Sequence, residues 1–162
     1  MNKIDVLKIV NWFRVKNNAD IRENPENVDE LTQMKVMKLL YYVQGVYLAI
    51  NGERAFDNEI LAWKYGPVVK EVHDKYRGRK SILGTISYDD LNDYDLVDND
   101  DKLSSVINSV DDAYGDMSAI ELMKQTHSET PWIETWKTEK KTNSDVISDD
   151  LIVKYFKEHI LG

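Results

Sequence analysis

The sequence predicts a mainly α fold: a single-domain helical bundle packed around one central hydrophobic helix, with a small two- or three-stranded β element. Three observations carry that expectation. A chain of 162 residues corresponds to one domain at roughly 150 residues per domain, large enough to bury a sizeable core. Only 7 Gly and 3 Pro are present, too few for the many hairpins of a sandwich or barrel. Apolar residues recur at helical spacings along most of the chain, with two short stretches of strict alternation between them.

In chain order, Ile4, Leu7, Ile9, Val10 and Phe13 give a first helix over residues 4–17, with Asn2 as its expected cap and Asp5 in its first turn. Residues 20–30 are polar, contain Pro25 and lack periodicity, which reads as a loop. The central helix follows, with Thr32 as its start and Gly52 as its stop. Met34, Met37, Leu40, Tyr41, Val43, Tyr47, Leu48 and Ile50 cover so much of its circumference that it must be packed on several sides.

Residues 59–65 alternate and predict a strand stopped by Gly66 and Pro67, with Pro67 opening a short helix whose inner face is Val69, Val72, His73 and Tyr76. Residues 82–88 also alternate and are expected to pair with that strand. Leu103, Ile107, Val110 and Tyr114 mark a helix ended by Gly115, and Ser118 and Glu121 form a capping box for the next. Thr130 and Pro131 have the form of a cap and first-turn proline, starting a helix with Trp132 and Trp136 one turn apart. A polar run over 137–143 precedes a last helix over about 148–161, opened by Ser148 and striped by Leu151, Ile152, Tyr155, Phe156 and Ile160. No repeat or composition break divides residues 1–162 into two domains.

Composition removes several kinds of chemistry. With no cysteine there are no disulfides, thiolate nucleophiles or Cys-ligated metals. No apolar run exceeds five residues, so a transmembrane helix of roughly 20 is not expected, and the charged N-terminal residues do not form a secretory signal, which points to the cytoplasm. The net charge of −8 is concentrated: residues 82–129 hold 12 acidic and 2 basic side chains, including seven aspartates within 89–101. That segment repels a phosphate backbone, so no direct nucleic-acid partner is expected, and the short basic patch at 75–80 does not offset it. The aspartates are expected to form a solvated loop, with Asp93, Asp95, Asp98 and Asp100 as candidate contacts for a basic protein. They lack the glycine and terminal glutamate of an EF-hand loop.

No phosphate loop, nucleophile elbow or zinc-protease motif occurs, and no catalytic residue, cofactor site or metal site is assigned. His159 lies in a last helical turn, where the dipole favours a cation, and His73 is expected as a hydrogen-bonded interior imidazole. His127 and Glu129 have the residue types of a general acid–base pair, set against the simpler role of capping two helix ends. Trp63 and Tyr65 either stack a ligand or fill the core against the central helix.

Three segments in order carry a family resemblance: Lys38-Leu39-Leu40-Tyr41-Tyr42-Val43-Gln44-Gly45, then Ala62-Trp63-Lys64-Tyr65-Gly66-Pro67-Val68-Val69, then Thr126-His127-Ser128-Glu129-Thr130-Pro131-Trp132. Over about residues 31–136 the chain resembles the Panacea domain of SocA-like antitoxins and of phage-associated proteins sometimes labelled GepA. The resemblance marks Trp63, Tyr65, Gly66, Pro67, Val68, Thr126, His127, Glu129, Pro131 and Trp132 as family-motif residues. It implies a non-enzymatic antitoxin that neutralises a cognate protein toxin, by direct binding or by delivery to a protease, and that is carried by a phage or other mobile element. The alternatives are a phage-borne accessory protein without a toxin and a small hydrolase using His127 and Glu129.

Overall fold

Asp5 accepts a hydrogen bond from the Leu7 amide and so opens α1 (Val6–Glu23), while the candidate cap Asn2 lies outside the described residues. The computed structural model describes residues 3–137 and 145–161. Helix α1 continues through residues 20–23, where a loop is expected from sequence. The Lys16 ammonium reaches Asp20 one turn on at 2.8 Å, and Pro25 ends the helix by disfavouring helical dihedrals at Asn24.

Helix α2 (Gln33–Asn51) is the axis of the fold. Thr32 accepts from the Lys35 amide at its start, and Gly52, with φ 71°, closes it in the left-handed conformation. Thirteen consecutive residues from Val36 to Leu48 are buried. Helices α5 (Asp101–Tyr114), α6 (Ala119–His127) and α8 (Asp149–Tyr155), together with the π-helical turn Phe156–Ile160, pack around it. Among the described residues no helix is long and apolar enough to cross a membrane.

The β element is a hairpin of β1 (Leu61–Trp63) and β2 (Gly66–Val68), in which Ala62 lies opposite Pro67. Pro67 therefore belongs to a strand and not to the first turn of α3 (Lys70–Lys75); its fixed φ suits either setting. The free edge of β1 is covered from the far end of the chain: the Ala62 amide bonds the Asp145 carbonyl and the Ile147 amide bonds the Ile60 carbonyl. Residues 82–87, read from sequence as a partner strand, make no such pairing. They form neither strand nor helix, and Gly84 takes φ 55°: the buried Arg14 guanidinium collects the Ile82 and Leu83 carbonyls, and the Ile82 amide bonds the Leu31 carbonyl.

The aspartate-rich stretch is also not a loop. It forms helix α4 (Tyr88–Asp98) and the start of α5. Its charges are placed where helices favour them: Asp89 and Asp90 in the first turn of α4, Asp100 capping α5 through the Leu103 amide, and Asp101 in the first turn of α5. Helix α4 packs on α1, with Tyr94 stacked on Trp12 at 5.6 Å. Of the expected caps, Ser118 and Ser148 hold as read, whereas Thr130 is the first residue of α7 (Thr130–Trp136) and the N-cap position falls on Glu129, with no side-chain cap bond. The expected polar run lies, beyond Lys137, outside the described residues.

Two substitutions test this packing. Leu40 is 0% exposed, so Leu40→Ala is expected to cost about 2–5 kcal/mol and lower Tm by many degrees in a thermal melt. Gly45 lies directly under the Phe156 ring, which a Cβ would overlap. Gly45→Ala, a change that gains about 1 kcal/mol in a solvated helix, should here lower Tm because overpacking costs about 1–3 kcal/mol.

Candidate functional site

Lys38, Tyr41, Tyr42 and Gly45 follow the i, i+3, i+4, i+7 spacing and so share one face of α2. The β hairpin, the α6–α7 junction and the C-terminal helix meet that face. All three motif segments therefore converge on one helix, with Lys38, Tyr41, Tyr42, Gly66, Thr126 and Glu129 buried where they meet.

Glu129 is the hub. Its residue is 0% exposed, and its carboxylate accepts from the Tyr41 hydroxyl at 2.9 Å, the Tyr42 hydroxyl at 2.8 Å and the Gln125 side-chain amide at 3.2 Å. Burial raises the Glu129 pKa, and the three hydrogen bonds oppose that shift. Burial and the adjacent carboxylate push both tyrosine hydroxyls up, so they stay protonated and donating. Tyr42 in turn stacks on Tyr114 with ring centroids 3.9 Å apart, and Tyr41 meets Phe156 edge-on at 5.4 Å. Although Glu129 occupies the N-cap position of α7, its side chain does not cap that helix. Thr126 and Ser128 do serve a helix end, donating to the Met123 and Gln125 carbonyls of α6.

Lys38 is 1% exposed, and its ammonium donates to the Pro67 carbonyl at 3.3 Å. Burial pulls its pKa down from 10.5 to about 8. Gly66, at φ 112°, brings the hairpin against this side chain; a Cβ there would stand 2.7 Å from Lys38 Cε and 3.0 Å from Thr126 Oγ1. Beside it, the His127 ring stacks on Trp132 at 4.0 Å and hydrogen-bonds the Lys64 backbone. Its buried Nε2 has no hydrogen-bond partner among the described residues, and burial lowers its pKa. The Trp132 indole donates to the Trp63 carbonyl at 2.8 Å, tying α7 to β1. Gln44 serves another side of α2, bonding the Phe56 carbonyl and the Ala55 amide.

The remaining candidates lie elsewhere. Tyr65 is 55% exposed at the hairpin turn, while Trp63 is half-buried with His73 edge-on to it at 4.8 Å. His73 is not interior: it flanks α3, half-buried, 3.3 Å from Asp74. His159 is exposed in the last turn, as expected. Asp93 turns inward to accept from Asn11 at 2.8 Å and Asp100 is a cap, which leaves Asp95 and Asp98 exposed. Among the described residues no three His, Asp or Glu side chains are gathered to hold a metal ion. A cleft of about 850 Å³ runs between the α1–α2 loop and the α5–α6 junction, and none of the hub residues lines it.

From the sequence, Tyr41 is legible as a packed residue of the central helix, whereas Lys38 and Tyr42 appear only within a motif segment and Gln125 not at all. The signal was present for Lys38: a lysine inside a helix apolar all round has no solvent-facing side on which to lie.

The family model described as Antitoxin SocA-like, Panacea domain, matches residues 36–133, more than half of the chain. The chain belongs to this family. No curated protein and no solved structure matches it. The span of the Panacea domain here runs from α2 to α7 and includes the hub and α4, while α1 and the C-terminal helix flank it.

The Lys38 shift predicts a pH dependence. Its folded pKa lies below the unfolded value, so between pH 8 and 10.5 the unfolded chain binds more protons and stability rises with pH. At about 1.4 kcal/mol per pKa unit, the burial penalty is about 3 kcal/mol below pH 8. Tyrosine ionisation in the unfolded chain counteracts this near pH 10. Urea melts should therefore show Lys38→Met gaining less relative to wild type at pH 9.5 than at pH 8, by about 1.5 kcal/mol. A difference independent of pH would place the ammonium in water.

Proposed function

We propose that this chain is the antitoxin of a toxin–antitoxin pair, an interaction module that neutralises a cognate protein toxin by direct contact or by delivering it to a protease, and that the pair belongs to a phage or other mobile element. The observation that carries this reading is family membership over residues 36–133. The site's geometry supports it. The motif residues spend their polar groups on one another inside the domain, as an interaction scaffold requires: Glu129 on Tyr41 and Tyr42, Lys38 on Pro67, Trp132 on Trp63. A hydrolase built on His127 and Glu129 would need a carboxylate that reaches substrate, whereas this one is sealed behind two tyrosines and Gln125. The module acts in the cytoplasm and needs no cofactor.

Co-expression with the product of the adjacent reading frame tests the proposal. Growth rescue together with co-purification is the expected result, and a wild-type chain that gives neither overturns it. His127→Ala, which removes the stacking partner of Trp132, should lower Tm and weaken neutralisation together. If turnover of a small ester or amide by the purified chain were abolished in that variant while Tm held, the hydrolase reading would replace this one.

A further inference from the structure

We propose that the outward face of α4 is the surface through which this chain grips its protein partner, and that the partner presents an apolar groove rimmed by lysine and arginine. The proposal rests on the antitoxin reading and specifies which surface that function uses.

Helix α4 mixes polar and apolar side chains on both of its faces, unlike an ordinary surface helix. Two of its carboxylates turn inward: Asp90 lies 3.1 Å from the Arg14 guanidinium, and Asp93 accepts from Asn11. Val97 is buried and Tyr94 stacks on Trp12, completing the inner side. Three large apolar side chains face water instead, with Tyr88 88% exposed, Leu91 42% and Leu96 46%. At about 100° per residue they fall within an arc of about 140°, on the side away from Val97. Single exposed apolar residues are ordinary, but three on one helix face, with exposed Asn92 and Asp95 among them, make a mixed apolar and acidic patch. Nothing in the fold is free to rotate them inward. The reciprocal Ser87–Asp90 capping box and the Arg14–Asp90 ion pair fix the rotation of the helix about its axis.

Charge selects the occupant. Asp89, Asp95, Asp98 and Asp101 are exposed around the patch, within a segment of 12 acidic and 2 basic residues. A second copy of this chain, with its own net charge of −8, is repelled there, as are nucleic acid and an anionic membrane. A basic protein is attracted. An exposed tyrosine with two leucines on one helical face is the form in which a helix anchors in a partner's groove, and the aspartate rim speeds the encounter.

The test uses the full chain and, as probe, the purified product of the adjacent reading frame. Tyr88→Ser combined with Leu91→Ser is expected to weaken binding at least tenfold and to abolish growth rescue, with circular dichroism confirming the fold. Asn92→Arg keeps all three apolar groups but places a positive charge on the exposed ridge between Tyr88 and Leu96, and it should give the same loss. Asp95→Asn with Asp98→Asn should slow association several-fold at low salt and flatten its salt dependence. Wild-type affinity and association rates in all three variants overturn this proposal and leave the antitoxin reading standing, because the wild type still binds. A wild type that does not bind the probe overturns both. A wild-type dimer that Tyr88→Ser converts to monomer, seen by sedimentation, assigns the face to a second copy and overturns the commitment to a basic partner.

Discussion

A helix covered on every side has no water with which to satisfy its polar side chains, and α2 carries Lys38, Tyr41, Tyr42 and Gln44 among those of its buried stretch. Each is answered by a group from another segment: the Pro67 carbonyl, the Glu129 carboxylate twice over, and the backbone at 55–56. That requirement fixes the hairpin, the α6–α7 junction and the loop after α2 relative to one helix. A half-satisfied buried network costs more than an apolar core, so these partners succeed or fail as a group.

Charge is handled by the same economy of placement. Apart from Glu129, whose carboxylate is met by neutral donors, the acidic side chains among the described residues sit where an ammonium, a guanidinium, an amide or solvent meets them. Arg14 shows how far one side chain reaches, since it joins α1 to the segment after Ser81 and to the first turn of α4. A single guanidinium with fixed fork geometry does here what a strand pairing would otherwise do.

Legibility in the sequence divided along the range of the interactions. The all-round burial of α2, the caps at Thr32, Ser118 and Ser148, and the helix stopped at Gly115 depend on residues within a few positions and could be read directly. Helix α4 could not, because its inner face mixes Asp90 and Asp93 with Tyr94 and Val97, and the partners of the two aspartates, Arg14 and Asn11, lie more than 75 residues earlier. The alternation in 82–88 suggests a strand, but Gly84 at φ 55° interrupts it, Tyr88 opens α4, and the Ile82 and Leu83 carbonyls go to Arg14. Pro67 has one dihedral angle that two structures share. At the site, the motif residues were visible but their pairing was not: Glu129 looked like a partner for its neighbour His127, and the fold delivered it to α2.

The Glu129 bonds close a loop of 87 and 88 residues. On the ribosome, where roughly 5–20 residues are added each second, α2 is therefore synthesised many seconds before the carboxylate that completes it emerges. Through that interval the Tyr41 and Tyr42 hydroxyls lack their native acceptor, although Tyr114, which stacks on Tyr42, is made before that carboxylate. The face of α2 that they share is closed only when Phe156, later still in the chain, reaches Tyr41 and Gly45.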